Sequence, residues 1–120
     1  MKSAGCDIDF LIDFRRDIHK HAEIAFKEFE TQKKIKDILL KWGVDETNIK
    51  TCAGTGLVVD IKGTGEIDPN NKGIKIIALR ADMDALPIPE NNPDLPYKTI
   101  TEYAHMCGHD GHMATALSVL

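Results

Sequence analysis

The feature that most constrains this chain is the short apolar run IKIIAL at positions 74–79, which leads without a break into RADMDALP. A run of this length, rich in β-branched residues and bounded by Gly73 on one side and charge on the other, suits a β-strand buried on both faces. Such a strand needs a neighbour on its edge and cover on both faces, which points to a layered α/β arrangement. The pattern GTGLVVDIKGTG (54–65) has the same β-branched, glycine-bounded character and is predicted as its neighbouring strand.

The cover is visible upstream. Over residues 8–20, Phe10, Phe14 and Ile18 recur at four-residue steps beside Leu11, with Arg15, Arg16, Asp17 and Lys20 on other faces, which predicts an amphipathic helix. Ile35, Ile38, Leu39 and Trp42 repeat the pattern in EFETQKKIKDILLKWG, and Gly43 supplies a stop. The stretch GTGEIDPNNKG has turn chemistry, and PIPENNPDLPYKT holds four of the chain's five prolines, so it must be irregular. From about Gly111, His112, Thr115, Ala116, Leu117, Val119 and Leu120 predict a third helix without a stop signal. The expected order is therefore α-α-β-β-loop-α, one α/β layer cut short.

Composition narrows the function. A net charge of −4, with basic and acidic residues interleaved, provides no footprint for nucleic acid or an anionic membrane. No apolar run approaches the length of a membrane span, and Asp7, Asp9 and Asp13 interrupt any signal-peptide core. A cytoplasmic location is expected. Cys6, Cys52 and Cys107 are odd in number and irregularly spaced, which favours reduced thiols over a disulfide framework.

Polar residues with metal-site chemistry gather in three places. In HMCGHDGH (105–112), Cys107 and His109 flank Gly108; residues two apart share a ligand only in extended or turn backbone, which glycine permits. Thiolate and imidazole suit zinc or another borderline metal. A closed site needs four ligands, and nearby candidates are His105, Asp110 and His112, with Cys52 far off in sequence. The competing reading is a buried free cysteine beside solvated histidines.

Asp82 and Asp84 follow the apolar run at i, i+2, which places both carboxylates on one side at the carboxyl end of a strand, where α/β sheets bind ligands. They can instead cap backbone amides in an acidic turn, or orient a metal-bound imidazole. His19, His21 and Glu23 form the third group near a helix end, where solvated or backbone-bonded side chains are the expected outcome.

Taken in order, RRDIHKHAEIAFKEFET, GTGLVVDIKG, ALRADMDALPIPE, PYKT and HMCGHDGHMATAL resemble the amino-terminal part of the amidohydrolase group in the aminoacylase and carboxypeptidase G superfamily of metallopeptidases. Its members include hippurate hydrolase, N-acyl-amino-acid amidohydrolases and indoleacetyl-amino-acid hydrolases. The resemblance runs from about Phe10 to Leu120. It implies a mixed-sheet α/β catalytic domain, of which residues 1–120 are the amino-terminal portion, interrupted in the family by a smaller lid domain through which homodimers form.

The chemistry the resemblance implies is hydrolysis of the amide in N-acyl or conjugated amino acids by a water held between two divalent ions; zinc, manganese, cobalt and nickel all remain open. By position, Cys107 and His109 match the first two metal ligands and Asp84 matches the strand-end aspartate that orients a ligand, while Asp82 and His112 carry less defined roles. Ala22 stands where the family usually has proline, and Met106 where it often has alanine; neither is a ligand. The family's Glu-Glu pair and two later histidines would fall beyond Leu120, which implies half of a binuclear site, no general base and no hydrolysis by these 120 residues alone. The rival expectations are a short non-catalytic paralogue or fragment acting as a metal-binding or interaction chain, and a compact zinc module.

Overall fold

A computed structural model describes residues 7–65, 69–70, 73 and 76–120. The first two expected helices are present as α1 (Ile8–Lys20) and α2 (Phe29–Lys41). Asp7 caps α1, its carboxylate accepting from the Phe10 amide at 3.2 Å, and Phe14 and Ile18 turn inward at the predicted four-residue step. The start of α2 has no cap from its own Glu28. Glu23 supplies one from a distance, accepting from the amides of Glu30 (3.1 Å) and Thr31 (2.7 Å) and from the Thr31 hydroxyl (2.6 Å). Gly43, at φ +90°, ends α2 in the left-handed backbone that glycine tolerates.

Strand β1 (Ile49–Cys52) pairs antiparallel with β2 (Gly56–Val59), from Ile49 opposite Val59 to Cys52 opposite Gly56. The apolar-glycine pattern thus marks a real strand, and its partner among the described residues is the preceding segment. Residues 74 and 75 lie outside the described residues; 76–79 form no strand, and Ile76 and Ile77 are 85% and 89% exposed. The physical reason is local: a tight turn at Ala53 and Gly54 brings β1 to β2 at little entropic cost, while 76–79 meet no strand edge among the described residues.

Pairing resumes just beyond the acids. Ala85 bridges Ile24 in parallel, with the Ala85 amide donating to the Glu23 carbonyl at 2.7 Å, and Leu86 bridges Ala104 antiparallel through two 3.0 Å bonds. These mixed contacts set RADMDALP between the end of α1 and the approach to α3 (His109–Ser118). The core is built from Phe14, Ile18, Leu39, Ile49, Met113 and Leu117, so α1, α2, the hairpin and α3 share one apolar centre. Phe10 and Trp42 extend it, their rings 5.6 Å apart.

Candidate metal centre

Helix α3 begins two residues earlier than its apolar pattern suggests. Gly108 occupies the N-cap at φ 79°, and His109 is the first helical residue. The turn at Met106 and Cys107 followed by left-handed Gly108 meets the requirement that the Cys-Gly-His stretch not be helical throughout. The Cys107 thiol is free and exposed, contrary to the buried-cysteine alternative.

His109 is held by the acidic segment. Its Nδ1 lies 2.9 Å from the Asp84 carbonyl oxygen and 3.1 Å from Asp84 Oδ1, and its Nε2 lies 3.8 Å from Asp82 Oδ2. The i, i+2 acids therefore do face one side, and both approach the same imidazole. Both Asp84 oxygens accept, so Nδ1 carries the hydrogen and Nε2 is left with its lone pair, the arrangement in which a carboxylate prepares a histidine for metal. Asp82 also pairs with Arg80 at 2.6 Å on the surface. His112 is exposed, its ring 5.6 Å from that of His109.

An exposed thiol two residues from an imidazole whose Nδ1 is held by Asp84 has the donor chemistry of two ligands to a borderline metal. Among the described residues, no three His, Cys, Asp or Glu side chains are grouped to hold a metal ion. Cys52 lies exposed in β1. Asp110 is only 1% exposed, and its Oδ2 accepts from Arg15 Nε at 3.1 Å and His19 Nδ1 at 2.9 Å. It is engaged in a separate network.

That network is what the sequence-based expectation missed. His19 is neither solvated nor backbone-bonded: it is 5% exposed, and its Nε2 reaches Glu90 Oε1 at 3.0 Å. Each of its ring nitrogens thus faces a carboxylate oxygen. Burial alone would raise the Glu90 carboxyl, but the Thr99 amide, the His19 ring and the Asn92 side chain outweigh it and bring the pKa down to about 2. The available signal was the i, i+4 spacing of Arg15 and His19, which sets both on one face of α1. His21, by contrast, is backbone-bonded as expected, Nδ1 lying 2.9 Å from the Asp17 carbonyl oxygen.

His105 lies beside this network, its ring 6.3 Å from that of His19. It is buried with neither ring nitrogen partnered among the described residues, and burial holds its pKa below the usual histidine range. It lines a cleft of about 690 Å³ shared with Arg15, His19, Glu90, Tyr97 and Asp110.

Comparison with known proteins fits this geometry. Residues 78–120 match the peptidase family M20/M25/M40. The chain is 43% identical over 110 residues to an N-acetyldiaminopimelate deacetylase of Anoxybacillus flavithermus, covering 91% of this chain and 27% of that protein. It is 41% identical over 110 residues to thermostable carboxypeptidase 1 of Saccharolobus solfataricus, covering 91% of this chain and 26% of that protein. Among solved structures, the YXEP protein of Bacillus subtilis, described as a dinuclear metal-binding peptidase of the M20 family, superposes with a TM-score of 0.73 at 38% identity, over 89% of this chain and 28% of that one. The chain spans about a quarter of the length of these relatives. The resemblance read from the motifs is borne out.

Proposed function

We propose, from a chain with the fold of the amino-terminal part of an M20-type metallopeptidase catalytic domain, that it contributes half of the metal centre of a hydrolase cleaving the amide of N-acyl or conjugated amino acids. Cys107 and His109 are the ligands it supplies and Asp84 orients His109. Residues 1–120 are the amino-terminal portion of the catalytic domain, and the lid through which such enzymes dimerise lies outside them. The observation that carries the reading is the Asp84 to His109 Nδ1 contact at 3.1 Å, which leaves Nε2 as the donor. The names of the deacetylase and carboxypeptidase relatives support amide hydrolysis.

Two divalent ions, drawn from zinc, manganese, cobalt and nickel, would polarise the amide carbonyl and acidify a bound water. The chain's own residues do the rest of what is assigned to it. Asp84 keeps hydrogen on Nδ1, Gly108 turns the backbone so that Cys107 precedes the helix, and Asp82 adds negative charge on the Nε2 side. The general base and the remaining ligands come from outside these residues, so the 120-residue chain alone is expected to bind metal weakly and to hydrolyse nothing. No described helix is long and apolar enough to cross a membrane, and a cytoplasmic setting suits a reduced Cys107.

The test is metal content. Dialysis against cobalt or zinc followed by elemental analysis should show bound metal lost in both Cys107→Ser and His109→Ala; retention at the unsubstituted level in both variants would overturn the assignment. One observation favours a second reading as an interaction chain, namely the exposure of Ile76 and Ile77. Under that reading the same substitutions leave metal content unchanged, and sedimentation shows a complex.

A further inference from the structure

Resting on the metal-binding reading of Cys107 and His109, we propose that His19 is a positioning residue for that pair: by bridging Asp110 and Glu90 it fixes the first turn of α3, and with it His109, against α1 and the proline-rich connection. Asp110 directly follows His109, so any movement of its carboxylate is felt at the ligand through one peptide unit. Three segments far apart in the chain meet at this imidazole. His19 is separated from Asp110 by 91 residues and from Glu90 by 71, and Glu90 is anchored again by the Thr99 amide at 2.7 Å and by Asn92 at 3.1 Å.

The burial of the bridge is what makes it decisive. His19, Asp110 and Glu90 are 5%, 1% and 6% exposed, so a lost partner leaves a largely buried polar atom without its acceptor or donor. Arg15 reaches the same Asp110 oxygen from the more open side, and its Cζ lies 5.7 Å from the centre of the Tyr97 ring, which ties the connection to α1 a second time. Asp84 holds the His109 ring itself; the His19 bridge holds the backbone that carries it. The two devices act on different degrees of freedom of one ligand.

The experiment is cobalt(II) titration of the whole chain, following the near-ultraviolet charge-transfer band of a cobalt thiolate, with the unfolding midpoint of the metal-free protein measured in parallel. His19→Gln should lower cobalt affinity by about 10- to 100-fold, the range for partners that orient metal ligands. Glu90→Gln keeps an oxygen acceptor and should give a smaller loss in the same direction. It is the deciding variant if His19→Gln does not fold. Thr55→Val removes the buried hydroxyl that donates to Glu28 at the hairpin, and should lower stability with affinity unchanged.

Unaltered cobalt affinity and band in the folded His19 and Glu90 variants would overturn the proposal. An equal affinity loss in Thr55→Val would do the same, by showing that general destabilisation is enough. Cys107→Ser separates the two levels of inference. If it abolishes the band while His19→Gln leaves it intact, only the positioning role fails; if it leaves the band intact, the metal reading fails and the positioning role with it.

Discussion

Two regions of this molecule reverse the usual association between residue type and burial. Around His19, three ionisable side chains from α1, α3 and the proline-rich connection pack into the interior, with Arg15 reaching in from the more open side. Around Ile76, a run of aliphatic side chains lies open to water. Burial follows the availability of partners. Asp110 and Glu90 give each His19 nitrogen an acceptor, which offsets the cost of taking the ring out of water, whereas residues 76–79 only border an open apolar cleft with Leu57, Val59 and Leu117 and stay exposed.

The contrast can be broken most forcefully at Asp110. Asp110→Ala leaves Arg15 and His19 without their shared acceptor, and removing one partner of a buried ion pair costs about 3–5 kcal/mol. Urea denaturation of the chain should show that loss at neutral pH. A loss under 1 kcal/mol would mean that the network is solvated and the comparison is mistaken.

The next effect is a pH dependence. The Glu90 carboxyl is lowered in the folded chain from an ordinary value of 4.5 to about 2. The unfolded chain therefore takes up the proton first as pH falls. The contribution is fully present above about 4.5 and fades as pH drops toward 2, amounting to roughly 3 kcal/mol across that window by proton linkage. Stability measured from pH 6 to 2 should fall less steeply in Glu90→Gln than in the unsubstituted chain; parallel curves would remove Glu90 from the buried network.

Two smaller effects sharpen the picture. Glu23→Ala deprives the start of α2 of its remote acceptor and should cost about 1 kcal/mol in the denaturation midpoint, as lost helix caps do. Ile76→Ser with Ile77→Ser should shift stability by no more than about 0.5 kcal/mol, because substitutions at exposed positions remove few contacts. A loss of several kcal/mol in that double variant would show that the run is covered in solution and that the two regions are less different than the structure shows.

The helices were legible because their information is local. A four-residue apolar step buries Phe14 and Ile18 whatever packs against them, and Gly43 marks the end of α2 through its own backbone freedom. The Asp82 and Asp84 spacing was legible for the same reason, since i, i+2 carboxylates share a side of extended chain. The β1 strand was not legible, as IKTC is short and carries little apolar patterning. Nor was the strand partner of Gly56–Val59, which the tight turn at Ala53 and Gly54 supplies from the segment just before it.

The site divides along the same line. Sequence alone determined which donors are present, that Gly108 separates Cys107 from His109, and that two acids follow an apolar run, because identity and spacing fix what local backbone can bring together. Only the tertiary structure decided that Asp84 meets Nδ1 of His109, that Asp110 turns away to Arg15 and His19, and that His105 is buried without a hydrogen-bond partner among the described residues. Each of those outcomes depends on segments tens of residues apart arriving at one point, and the cost of leaving a buried polar group unpaired then selects among the partners that arrive.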